Sequence, residues 1–243
     1  MTDSHSKTEE VLQSLRTQYH DLAELAGSLA HEIKNPLSVI RMNMDLLAED
    51  FAEGDSPRER RAVSKIEVVQ KQCTRLENLL RDFLKFARLR DLELLPGCLN
   101  DVADRVLTIF EPQARETNVE FIRYLDPDLP SIKLDEQTLH AALFNLVKNS
   151  LEAMPDGGQL MVRTRITRTG VALDLFDTGC GMDANTALHM FDAFYSTKNG
   201  GSGLGLPTAR KIIEAHGGRI SVQSEVGRGT QFTIEFPQPA RIQ

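Results

Sequence analysis

The sequence predicts two architectures in series. The first is an all-α helical hairpin over residues 9–95, built to double into a dimeric four-helix bundle; the second is an α+β two-layer sandwich over residues 96–238. Three observations carry this. Apolar residues at Leu12, Leu15, Tyr19, Leu22, Ala26, Leu29, Ile33, Leu37, Ile40, Met44 and Leu47 recur in steps of three or four, the mark of helices burying a narrow seam. That periodicity breaks around Leu95-Pro96-Gly97. Beyond the break, strands with alternating polarity are interleaved with helical stretches, the pattern of helices laid on one face of a largely antiparallel sheet.

The elements follow in order. Residues 1–8 are polar and 239–243 form a short tail. The first helix runs from about Glu9 to Phe51, and Pro36 within it removes a hydrogen-bond donor and is expected to bend it. Glu53-Gly54-Asp55-Ser56-Pro57 is a turn with Ser56 as cap and Pro57 at the first position of the next helix. The second seam is Ile66, Val69, Cys73, Leu76, Leu80, Phe83 and Ala87. A lone hairpin cannot bury two such seams, so a homodimer is expected, an intramolecular coiled-coil stalk being the alternative. In the second half a helix is predicted over Asn100–Glu116, strands at Val119–Tyr124 and Ile132–Leu134, and a helix over Glu136–Ala153. A hairpin joins 160–164 to 171–176. A long Gly-, Asp- and Ser-rich loop with one short helical piece fills 178–203, and loops of this length tend to be lids. A helix from Leu206 to His216 stops at Gly217-Gly218, and a hairpin of Arg219–Ser224 and Thr230–Phe236 closes the chain.

Composition excludes several classes. A net charge of -7 offers no general attraction to nucleic acid or anionic membranes. No apolar run approaches the roughly 20 residues of a membrane span, and the N-terminus lacks the apolar core of a signal peptide. Cys73, Cys98 and Cys180 are odd in number, widely spaced and without zinc or disulfide pattern, which fits a reducing cytoplasm.

Four stretches carry candidate chemistry. His31 lies two residues from both Leu29 and Ile33, about 200° away at ~100° per residue, and so off the apolar seam. Asn35 shares its face one turn on, and Glu32 flanks it. A solvated surface histidine is the plain alternative. Asn145 and Asn149 stand one turn apart on a helix, where an amide oxygen suits Mg²⁺ bridging triphosphate oxygens; solvated or capping amides are the alternative. Asp177 ends a strand ahead of Gly179 and Gly181, so its carboxylate can accept from an amine such as adenine N6 while the glycines allow close backbone approach. Gly201, Gly203, Gly205 and Leu206 open a helix, exposing N–H groups and positive potential to phosphate, unless the loop is merely a flexible linker.

Together these residues resemble the sensor histidine kinases of two-component signalling. His31-Glu32-Ile33-Lys34-Asn35-Pro36-Leu37 is similar to the phosphoacceptor box, Asn145 to Asn149 to the asparagine box, and Asp177 to Gly181 to the first glycine box. Phe191 to Lys198 is similar to the phenylalanine box, Gly201 to Leu206 to the second glycine box, and Gly227 to Phe232 to the closing one. The wording of the boxes most resembles soluble nitrogen-regulator-type kinases. The resemblance implies a dimerisation and histidine-phosphotransfer hairpin followed by a Bergerat-type ATP-binding domain. It also implies ATP and Mg²⁺ as cofactors, His31 as the nucleophile on the γ-phosphorus, and Glu32 as the group that orients the ring or takes its proton. Asn35 would position water when a phosphorylated partner is dephosphorylated. Asn149 would hold Mg²⁺, Asp177 would fix adenine with Thr230 supporting it through its hydroxyl, and Lys198 would reach a phosphate, a solvated lysine being the alternative. A response regulator with an acceptor aspartate is the implied partner, and the signal is expected from an upstream sensor protein or a sensor domain outside this sequence. The rival readings are a GHKL-type ATPase of the gyrase and Hsp90 kind, against which Asn145 stands where a glutamate base is needed, and a non-catalytic ATP-binding scaffold.

Overall fold

The computed structural model describes residues 33–51, 56–87, 92–198 and 201–237. These fall into two compact units, one ending with the helix that closes at Ala87 and the other beginning after it.

The first unit is a hairpin of α1, helical over 33–51, and α2, Pro57–Ala87. The helical assignment passes through Pro36 without a break. Ser56 caps α2 as expected: its hydroxyl accepts from the Glu59 amide at 3.2 Å while the Glu59 carboxylate accepts from the Ser56 amide at 2.9 Å, a reciprocal capping box. Arg41 pairs with Glu77 at 3.1 Å, and Gln70 donates to Asp45 at 2.7 Å. Residue numbers rise on one helix as they fall on the other, so the two are antiparallel. Leu37, Ile66 and Cys73 are buried, whereas the seam residues Ile40, Val69, Leu76 and Leu47 remain exposed.

The second unit is a two-layer α+β sandwich, the class the sequence predicts. Its sheet has the order β2 (Val119–Tyr124), β4 (Gly158–Ile166), β5 (Gly170–Asp177), β7 (Gly229–Pro237), β6 (Arg219–Glu225). All neighbours are antiparallel except β2 and β4. That parallel pair requires a crossover, which α4, Glu136–Glu152, supplies. α3 (Leu99–Glu116), α4 and α6 (Gly205–Ala215) bury their apolar stripes with Leu160, Val162, Leu173, Leu175, Phe232 and Ile234 of the sheet. The short helix α5, Ala184–His189, is the one helical piece foreseen in the long loop.

One boundary moves. The sequence placed the divide between residues 95 and 96, but Leu95–Gly97 is a strand, β1, paired antiparallel with β3, Ile132–Leu134. It belongs to the second unit. A Pro-Gly pair breaks helical periodicity and so looks like a linker, yet an edge strand tolerates both residues because its outer donors need no partner.

Two polar anchors set the frame. His216 is buried; its Nδ1 faces the Ile212 carbonyl at 2.8 Å and its Nε2 accepts from the Asp135 amide at 3.0 Å. The ring thus fastens the end of α6 to Asp135, which caps α4 by accepting from the Thr138 amide. On the other face of the sheet Asp174 is fully buried and accepts from Arg163 (2.8 and 3.2 Å), Arg165 (3.0 Å) and Thr233 (2.8 Å). Burial pushes its carboxyl up, but these donors outweigh burial and hold it below the usual aspartate range.

A folded value below the unfolded one contributes stability that is present above about pH 3.8 and is lost as pH falls through the folded value. Asp174→Ala should lower stability by about 1–3 kcal/mol at neutral pH, because the arginines are half-exposed and can return to water. Calorimetric melts at pH 7 and below pH 4 should show the difference between variant and parent shrinking in acid.

Candidate functional site

The site is built where β5 runs out of the sheet. Asp177 ends that strand opposite Thr230 of β7, and its carboxylate is buried. Oδ1 accepts from the amides of Gly179 and Thr230, both at 3.1 Å, and Oδ2 accepts from the Ser150 hydroxyl at 3.0 Å. Burial nonetheless dominates and raises the carboxyl above its usual range, against those three donors and the charge of Lys198. Oδ2 keeps lone-pair capacity for one further donor.

Two details differ from the sequence reading. Thr230 supports Asp177 through its backbone amide, not its hydroxyl, which faces the Ser224 hydroxyl at 2.9 Å. Ser150 was assigned no role, yet it is the side chain that holds Oδ2. A buried serine on the apolar face of α4 was the available signal, since such a hydroxyl must find a partner.

The loop after Asp177 is shaped by the chain's own packing. A Cβ on Gly179 would stand 2.7 Å from the Ala153 carbonyl oxygen, and Gly181 has φ +65 against the Glu225 backbone. Met182 donates its amide to the Ser224 hydroxyl at 2.9 Å, and Gly227 donates to the Cys180 carbonyl at 2.8 Å. The first glycine stretch is therefore clamped between the end of α4 and the β6–β7 turn.

Asn145 and Asn149 are half-buried on α4. Asn149 donates its Nδ2 to the Asn145 backbone carbonyl at 2.9 Å, which turns Oδ1 outward. Oδ1 accepts from the Lys198 ammonium at 3.0 Å, and the same Nζ lies 2.5 Å from Oε2 of Glu152. The start of α6 reaches this place too: a Cβ on Gly205 would stand 3.7 Å from Oδ1 of Asn145 and 3.9 Å from Nδ2 of Asn149. α6 opens at Leu204 with no side-chain cap, leaving its first amides for another acceptor. Gly203 (φ +66) receives the Phe194 amide on its carbonyl at 3.0 Å, joining the two ends of the loop. Gly201 donates to the Lys198 carbonyl at 3.2 Å, and Leu206 packs against the core. Asn145, Asn149, Lys198 and Gly205 are thus brought together, while Asp177 is tied to the same helix through Ser150 and Gly179 sits against its end.

Asn35 is exposed on α1 in the other unit; His31 and Glu32 lie outside the described residues. Among the described residues no group of three or more His, Cys, Asp or Glu side chains is placed to hold a metal, and no helix is long and apolar enough to cross a membrane.

Two family models match the chain, one on each side of the divide. Residues 21–92 match the His Kinase A (phospho-acceptor) domain, and residues 134–240 match the Histidine kinase-, DNA gyrase B-, and HSP90-like ATPase domain. The chain belongs to the two-component sensor histidine kinases. It is 32% identical over 219 residues to sporulation kinase E of Bacillus subtilis strain 168 and 32% identical over 230 residues to the sensory histidine kinase/phosphatase NtrB of Escherichia coli O157:H7. These matches cover 90% and 88% of the chain, but the chain spans only 29% and 62% of those relatives. Among solved structures it is similar to full-length ShkA in complex with AMPPNP (29% identity, TM-score 0.69, 88% of this chain and 45% of that one). It is also similar to histidine kinase ThkA in complex with the response regulator TrrA (26%, TM-score 0.65, 94% and 65%).

The raised carboxyl of Asp177 makes a stability prediction of definite sign. A group whose folded value lies above its unfolded one favours folding below about pH 3.8, and that contribution is lost as pH rises through the folded value. At neutral pH the ionised carboxylate is therefore a cost. Asp177→Asn keeps the Oδ1 acceptor and should leave the thermal midpoint unchanged or raised at pH 7, with no gain near pH 3. A melt showing marked loss at pH 7 would contradict this.

Proposed function

We propose that this chain is an ATP-dependent histidine kinase that phosphorylates itself on His31 and passes the phosphoryl group to an aspartate of a response regulator's receiver domain. The observation that carries the reading is the convergence of Asn149, Lys198 and the uncapped start of α6 beside α4, with Asp177 fastened to the same helix through the adjacent Ser150.

The donor set fits ATP with Mg²⁺. Asp177 accepts from the exocyclic amine of adenine, the backbone at 201–205 and the first amides of α6 receive phosphate oxygens, and Asn149 turns its oxygen to a cation. When bound, Mg²⁺ spreads the charge of the transferring group. Among this chain's own residues, His31 supplies the ring nitrogen that bonds to the γ-phosphorus as the bond to the bridging oxygen breaks and ADP leaves, and Glu32 takes the proton from the ring's other nitrogen. Asn35, exposed on α1, orients water for removal of phosphate from the partner. The AMPPNP complex of ShkA and the TrrA complex of ThkA support the nucleotide and the partner class. The exposed seam of Ile40, Val69, Leu76 and Leu47 supports a homodimer in which a second hairpin covers it.

Incubation with γ-labelled ATP and Mg²⁺ should leave an acid-labile, base-stable label on the protein, abolished in His31→Gln. Release of free phosphate without protein label, unchanged by that substitution, would replace this reading with an ATPase. Asp177→Asn should weaken ATP-analogue binding by about tenfold or more in calorimetric titration, since an amide nitrogen then faces the adenine amine and a lost buried bond costs about 1–3 kcal/mol. With phosphorylated regulator as substrate, Asn35→Ala should slow dephosphorylation by about tenfold or more while autophosphorylation persists.

A further inference from the structure

Lys198 lies in the loop before α6, 49 residues from Asn149 and 46 from Glu152, yet its ammonium joins both. Asn149 and Glu152 are three residues apart on α4, so their side chains project from one face. The orientation of Asn149 is fixed by its donation to the Asn145 carbonyl, which leaves Oδ1 as the atom presented outward. Two oxygens, one of them a carboxylate, therefore converge on a single positive charge. A second cation is near: Lys148 stands 3.8 Å from the other Glu152 oxygen, Oε1.

Resting on the nucleotide reading above, we infer that Oδ1 of Asn149 and Oε2 of Glu152 form a two-oxygen seat for a divalent cation, and that the Lys198 ammonium competes for the same two oxygens. Glu152 is thereby a positioning residue of the site. Oxygen donors of these two kinds are what hard divalent ions take, and Mg²⁺ binds through one or two carboxylates together with substrate phosphates while keeping several waters.

The competition between the two cations is lopsided in a useful way. Lys198 and Glu152 are both more than a third exposed, so their pairing in water is weak and easily exchanged. A divalent ion carries twice the charge to the same oxygens. A divalent ion bound there would displace Lys198 from Asn149 and Glu152 and leave its ammonium for a phosphate. The Ser196 hydroxyl accepts from the Lys198 amide, and Gly201 donates to the Lys198 carbonyl.

Binding of Mn²⁺ to the full chain, followed by loss of the free-ion electron paramagnetic signal, tests this without reference to turnover. Without nucleotide, Lys198→Met should bind Mn²⁺ at least about fivefold more tightly than the parent chain, and adding Glu152→Gln should abolish the gain. Equal Mn²⁺ affinity in Lys198→Met and the double variant would overturn the inference, as would no gain in Lys198→Met. ADP titrations with and without Mn²⁺ separate this from the underlying reading. Glu152→Gln should lose most of the metal's enhancement of ADP affinity, and an unchanged enhancement would overturn the inference alone. A parent chain that binds no ADP under either condition would overturn the nucleotide reading and the inference with it. Unchanged thermal midpoints establish that the variants fold.

Discussion

The Asp177 carboxylate is the contact on which the second unit's functional geometry depends. It gathers donors from three places distant in sequence: Ser150 on α4, Gly179 in the loop that follows, and Thr230 on β7. A buried charge with that many donors cannot be moved without leaving several polar groups unpaired, so the group is both expensive and well placed. Burial raises its carboxyl even so. Stability is given up at neutral pH to keep this carboxylate buried, where it can discriminate a donor from an acceptor. The raised value and the three fixed donors are two sides of one arrangement.

From that anchor α4 carries everything else. Its buried stripe of Leu139, Leu143, Leu146, Val147 and Leu151 locks it onto the sheet, and His216 and Asp135 hold its first turn. The rigid helix then presents Ser150 to Asp177 and turns Asn149 and Glu152 towards the loop. Contacts on the loop side are of a different kind. Lys198 is held by exposed polar partners, and Phe194 and Gly203 are joined by one backbone bond. A well-packed helix facing a lightly tethered loop is the division of stiffness expected where a ligand must enter and leave.

Legibility in the sequence divided along physical lines. The strand Val119–Tyr124 and the helix Glu136–Glu152 announce themselves by alternation or by three-and-four spacing, because each buries one face of a regular element. The short strand Leu95–Gly97 does not, since three residues carry no periodicity and Pro-Gly signals a break. The parallel pairing of β2 with β4 is a matter of topology and leaves no local trace. Within the site, Asn145, Asn149, Asp177 and the glycines were visible as types at a spacing. The supporting atoms were not: whether Thr230 acts by hydroxyl or amide depends on the register of β7 against β5, and Glu152 looks like any exposed helical glutamate until Lys198 is placed beside it.

The position of Glu152 also bears on which chemistry the site favours. An ATPase needs a carboxylate aimed at a water in line with the γ-phosphorus, and at Asn145, beside Gly205 at the start of α6, this chain has an amide that cannot take a proton. Glu152 does bring a carboxylate to the same face, two helical turns further along. Its two oxygens, however, face the ammonium groups of Lys198 and Lys148. Exchange of Lys198 for a metal would leave Glu152 facing a still stronger charge. In the proposed reading, negative charge at this end of α4 serves to hold cations, and the phosphoryl group meets the His31 ring in place of a water.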